Sequence, residues 1–192
     1  MGAAAQPGDA GPLERAALEW VAPYWNARHL VRTRDWLLAL DPEAGEALRL
    51  AALTHDIERH FPGGPRPDPA AGWDDPAYLR AHCARSAAIV ADWLRGQGAP
   101  EALVAEVADL VRRHEDGGGP AADLLQAADS LSYLEVNGDR PLAWVREGRC
   151  DVPQAEEKLA LMYERIRVDR ARELAAPFLE RAQAGLRAGA RA

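Results

Sequence analysis

Four histidines and one aspartate fall on the apolar stripes of five successive helical segments. His29 shares a face with Trp25, Trp36 and Leu40, and His55 shares one with Leu48 and Ala51. His82 aligns with Ile89 and Trp93, His114 with Leu103, Val107 and Leu110, and Asp129 with Leu125 and Val136. Asp56 directly follows His55. One inward histidine is ordinarily a satisfied core residue. A buried carboxylate is different: it must be paired or metal-bound, because burying an unpaired charge is costly. The sequence offers no matching set of inward Lys or Arg. The pattern therefore predicts a polar metal centre inside a helix bundle. Imidazoles and carboxylates accept Fe, Mn, Ni, Co or Zn, and their spacing does not choose among these ions.

The elements that must hold these residues read as helices almost throughout. Strand signals are poor, with no sustained alternation of period two. Leu13 to Ala22 and Tyr24 to Leu40 are the first two helices. Asp41-Pro42 has the form of a cap followed by proline at the first helical position, and predicts a helix to about Phe61. Phe61 to Asp75, rich in Pro, Gly and Asp, is a long loop. Further helices run from Asp75-Pro76 to about Arg95, from Ala99-Pro100 to His114, and from Ala121 to Asn137. Pro141 to Glu147 is a turn or two. Asp151-Val152-Pro153 opens a long helix to about Arg167, and a last one starts at Arg170. The expectation is one all-α domain over 13–192, after an Ala/Gly/Pro-rich disordered leader over 1–12. The metal core spans 24–137 and a C-terminal helical extension spans 151–190.

The ordered set His29, His55-Asp56 in "LAALTHDIERHF", His82 in "RAHCARSA", His114 in "LVRRHE" and Asp129 in "LLQAADSLSYLEVN" resembles the HD-domain superfamily of metal-dependent phosphohydrolases. The resemblance covers roughly residues 24–137 and implies an HD-type helical bundle. Because both additional histidines are present, it implies a dinuclear member. His29, His55, Asp56 and Asp129 would hold one divalent metal, and Asp56 would bridge to a second held by His82 and His114. Two such ions, roughly 3.5–4 Å apart, share a hydroxide that attacks phosphorus in line. The implied activity is hydrolysis of a small phosphorylated molecule, with a nucleotide as one candidate. A few members of the superfamily with this ligand set are mixed-valent diiron oxygenases, which is the alternative enzyme reading. A metal-containing sensor without turnover is the third.

Residues beyond the ligand set follow from position. Asp56 and Glu58 are candidate catalytic carboxylates, although Glu58 near a helix end also suits simple solvation. Arg32, Arg59 and Arg165 are candidate phosphate contacts. Lys158 stands out because all the other basic residues, of 23 in total, are Arg. An Arg-rich chain that keeps one Lys suggests a need for a compact ammonium, in substrate binding or catalysis. Lys158 and Arg165, seven apart, share a helix face that could close over the site. Tyr163, Ser130, Ser132 and Asn137 are weaker candidates. His60, five residues after His55, faces elsewhere. Glu115 and Asp116 are placed at the entrance to the site.

Bulk properties bound the partners. The 192 residues carry 30 acidic groups and a formal charge of −7, which argues against binding long nucleic acids. It does not argue against a small phosphate beside metal ions. Two cysteines without CxxC spacing, no apolar run of membrane-spanning length and no secretory signal predict a cytoplasmic protein with no membrane partner. Oligomeric state is not readable.

Overall fold

The computed structural model describes residues 10–68 and 71–189. Among these, nine α-helices and one 3-10 turn form the fold and no strand is present. The helices are α1 (Pro12–Val21), α2 (Ala27–Leu40), α3 (Glu46–Thr54), α4 (Pro76–Gly96), α5 (Glu101–Arg113), α6 (Pro120–Val136), α7 (Arg140–Arg146), α8 (Val152–Glu164) and α9 (Asp169–Gly189), with the 3-10 turn at Ile57–His60. The all-α expectation holds.

Local chemistry explains most boundaries. Asp75 caps α4 by accepting from the Ala77 amide, and Pro76 occupies the first helical turn. Asp151 and Gln154 form a reciprocal capping box at the start of α8. Asp41-Pro42 behaves differently from its sequence reading. The Asp41 carboxylate accepts from the Glu43 amide in a turn, and α3 starts only at Glu46. That helix also ends before Phe61, because the chain tightens into the 3-10 turn just after Asp56. The leader assignment is corrected at its end: Pro12 already opens α1 and Ala10 is buried. Positions 1–9 lie outside the described residues.

Helix α6 is the spine. Its Leu125 and Ala128 join a core built mainly from α1 to α5, while Ala127, Leu131 and Leu134 join a second core shared with α8 and α9. Burying each of these leucines is worth about 1.5–3 kcal/mol. The C-terminal helices are therefore packed onto α6 through their own apolar cluster. Asp129 sits on α6 between the two cores, so the polar site opens where the helical extension meets the histidine-bearing helices.

Candidate metal centre

The four histidines converge. Their rings form a continuous chain: His29 to His55 at 5.3 Å between centroids, His55 to His114 at 5.0 Å, and His114 to His82 at 5.3 Å. All four are at least 97% buried. Asp129 closes one end, its Oδ1 lying 3.1 Å from His29 Nε2 and 3.3 Å from His55 Nε2. Glu115 closes the other, with Oε1 at 3.6 Å from His114 Nε2. Two groups of potential metal-binding atoms result, His29–His55–Asp129 and His82–His114–Glu115, each with its ligand atoms within 4.8 Å of one another.

The outward edges of the rings are equally ordered. His29 Nδ1 lies 2.8 Å from Ser132 Oγ, whose own proton goes to the His29 carbonyl. His55 Nδ1 meets the Ala52 carbonyl at 3.1 Å, and His114 Nδ1 the Val111 carbonyl at 2.7 Å. His82 Nδ1 meets Glu58 Oε1 at 2.9 Å. Every Nδ1 thus faces an acceptor, and a neutral ring with its proton there turns its Nε2 lone pair inward. His82 Nε2 and His114 Nε2 are buried without a hydrogen-bond partner. Buried polar atoms without partners are rare and need a cause. Histidines tied back through Nδ1 with a free Nε2 are the arrangement metal-ligating imidazoles adopt.

The charges around the rings are not those expected from sequence. Arg165 pairs with both Asp129 and Glu115. Arg59 lies 3.0 Å from Asp56, and Arg85 lies 2.7 Å from Glu58. The carboxylates therefore have guanidinium partners, and the premise of an unmatched acidic core is corrected. Burial opposes ionisation of Asp129 and Glu115, but Arg165 and the adjacent imidazoles hold both well below the usual carboxylate range. Burial likewise opposes charge on His114. Its neighbours Cys83 and Glu115 outweigh this and raise it well above an ordinary histidine.

Asp56 falls outside both three-residue groups. It sits at the His82 end, with Oδ1 at 3.3 Å from His82 Nε2 and Oδ2 accepting from the Tyr24 hydroxyl at 3.0 Å. Glu115, which the sequence reading placed only at the entrance, completes the group of close ligand atoms around His82 and His114. Its signal was simple adjacency to His114. Glu58 is neither solvated nor in the cavity. It is 99% buried, gripping His82 and Arg85, and is kept below its ordinary value by both against the opposing effect of burial. It orients a ring.

A cavity of about 310 Å³ opens onto the cluster. Arg59, Lys158 and Arg165 line it together with His29, His55, Asp56, His114, Glu115 and Asp129. Lys158 forms no ion pair among the described residues; its ammonium lies 5.4 Å from the centre of the Tyr133 ring. Burial, reinforced by Arg165 and Arg59, lowers it to about 8 despite Glu115 and Asp129. Arg32 is elsewhere. Its guanidinium is consumed by Glu135 and Asp35 and it does not border the cavity. His60 is exposed, with its ring edge-on to Tyr24 and Phe61.

The outer wall was not foreseen. Trp73 from the 61–75 loop stacks on Trp144 of α7 at 5.2 Å and donates to the Gln154 carbonyl at 2.7 Å. Arg140 lies 4.3 Å over Trp25 and 5.7 Å from Trp144. Trp25 is 57% exposed, although its spacing from His29 placed it on the inward stripe. The turn after Pro23 separates it from α2 and swings it to the rim. No helix of the described residues is long and apolar enough to cross a membrane. No family model matches the chain, and no curated protein or solved structure matches it either.

Proposed function

We propose that the histidine cluster is a divalent-metal centre and that the protein is a metal-dependent phosphohydrolase of the HD type, acting on a small phosphorylated molecule. The single observation that carries this is the common orientation of four buried imidazoles, each anchored at Nδ1 with Nε2 facing its neighbours. A helix bundle that needed these rings only for packing would satisfy both nitrogens. The donors fit divalent ions of the Fe, Mn, Ni, Co and Zn series. His29, His55 and Asp129 would hold one ion and His82, His114 and Glu115 a second, with Asp56 beside His82. Ions bound there would supply Lewis acidity toward a phosphoryl oxygen and an acidified water.

The chain's own residues supply the rest. Lys158, Arg59 and Arg165 face the same cavity as the ligands. With Arg140 and Arg149 also lining the cavity, this supply of cations favours a phosphate over a neutral substrate. Arg165 bridges Asp129 and Glu115 and borders the cavity, so it neutralises both carboxylates and would stand beside a bound phosphoryl group. Lys158, without a carboxylate partner among the described residues, is a cation available to an incoming anion. Glu58 and Ser132 hold the His82 and His29 rings in their ligating tautomers.

The test is phosphate release by protein loaded with each metal in turn, with and without oxygen. Oxygen-independent release supports the proposal. Product that forms only with oxygen, or no release from any phosphoester supplied, overturns it.

A further inference from the structure

Two asparagines line the cavity without doing what asparagine does at helix ends. Asn26 occupies the N-cap position of α2, where a side-chain amide ordinarily accepts from the first turn, yet its side chain caps nothing. Asn137 follows α6 at φ −112°, so it is not there for left-handed backbone. The two residues are 93% and 95% buried and both border the cavity, which their amide groups can reach. The Tyr133 hydroxyl, in the same cavity, is buried and unpartnered.

These groups have an ordered relation to the metal cluster. Asp129, Tyr133 and Asn137 follow one another at steps of four along the face of α6. Each step is a rise of about 6 Å, so the row leads outward from the metal-ligating carboxylate. The polar groups are neutral and offer both donors and acceptors, unlike the cations nearer the cluster. A phosphate belongs among the cations. What lies beyond it meets these neutral amides and the Tyr133 hydroxyl, with Arg140 and Arg149 on the tryptophan-lined wall. The stacked Trp73 and Trp144 close the outer wall, and about 310 Å³ is at the small end for ligand sites.

We infer that Asn26, Tyr133 and Asn137 form a subsite for the hydroxyls of a sugar or polyol monophosphate, a substrate class that rests on the phosphohydrolase reading above. Cavity-facing amides are complementary to such hydroxyls, because both groups donate and accept. Trp25 borders the same cavity, with the Arg140 guanidinium over its ring.

The experiment uses the metal-loaded full chain and three probes: ribose 5-phosphate, phenyl phosphate and adenosine 5′-monophosphate. Binding is read by calorimetry and turnover by phosphate release. The wild-type protein is expected to bind ribose 5-phosphate at least about tenfold more tightly than phenyl phosphate, whose ring cannot use the amides. Asn137→Leu and, as the milder change, Tyr133→Phe are each expected to cut that preference about five- to tenfold. A variant that weakens both ligands equally, a wild-type preference for phenyl phosphate, or tighter binding of adenosine 5′-monophosphate than of ribose 5-phosphate overturns the subsite. Phosphate release from phenyl phosphate without binding of ribose 5-phosphate defeats the subsite and spares the hydrolase. Selective binding of ribose 5-phosphate, lost in Asn137→Leu, without release from any probe defeats the hydrolase and leaves the subsite standing.

Discussion

Lys158 should be a stabilising position to lose and a functional position to keep. It lines a buried cavity with no carboxylate within pairing distance, and burial lowers it from 10.5 to about 8. At neutral pH the folded protein still holds it charged, at a cost. A drop of roughly 2.5 units corresponds to about 3 kcal/mol. Because the side chain is partly accessible from the cavity, screening brings the expected gain on Lys158→Met to about 1–2 kcal/mol. In a chain of this length that is a rise in Tm of about 2–8 °C. The pH dependence has a definite sign. The folded state releases this proton near pH 8 and the unfolded state near 10.5, so between them the unfolded state binds more protons. Wild-type stability should therefore rise relative to Lys158→Met across that window, and the advantage of the variant should shrink by pH 10. Urea unfolding of both proteins at pH 7 and pH 10, at fixed metal content, measures this. The same variant should bind inorganic phosphate at least tenfold more weakly. A variant that is less stable at pH 7, or a difference that does not change with pH, would refute the account of an unpaired buried ammonium.

Other perturbations separate the parts. Glu58→Gln should weaken metal binding about 10–100-fold while the fold persists, because a neutral amide orients the His82 ring less firmly; competition with a chelating dye reads it. Arg32→Ala should leave phosphate affinity within twofold, since its guanidinium is held by Glu135 and Asp35 away from the cavity; isothermal titration checks this. Gly138→Ala should cost about 1–3 kcal/mol in thermal or urea unfolding, because the added methyl would lie 2.5 Å from the Leu134 carbonyl oxygen and 3.1 Å from the Ala182 methyl.

The helices and the convergence of the histidines were legible because both follow from periodicity. A residue on the apolar stripe of its helix must face the interior, and five stripes meeting in one bundle bring their polar members together. Glu115 and Asp56 exchanged importance for a reason periodicity cannot give. The chain leaves α-helical geometry at Asp56 and enters the 3-10 turn, which carries Asp56 toward Tyr24 and Arg59. Arg165 was named as a phosphate contact, but its pairing with Asp129 and Glu115 depends on how α8 docks on α6, a tertiary fact. Asn26 and Arg140 were invisible for the same reason. Asn26 lay unremarked inside the helix expected from Tyr24, and Arg140 was one Arg among many. Trp25 shows the opposite failure: the helix expected from Tyr24 begins only at Ala27, so Trp25 sits in the turn before it and not on the stripe.

The central claim is that the inward Nε2 atoms bind metal. Metal analysis of the chain, loaded with Mn²⁺ or Zn²⁺ and freed of excess ion, tests it directly, with His29→Ala and His114→Ala in parallel. The account predicts about two ions per wild-type chain and about one in each variant, because each substitution dismantles a different group. A wild-type chain that retains no metal while keeping its fold, or variants that bind as much as wild type, would contradict it.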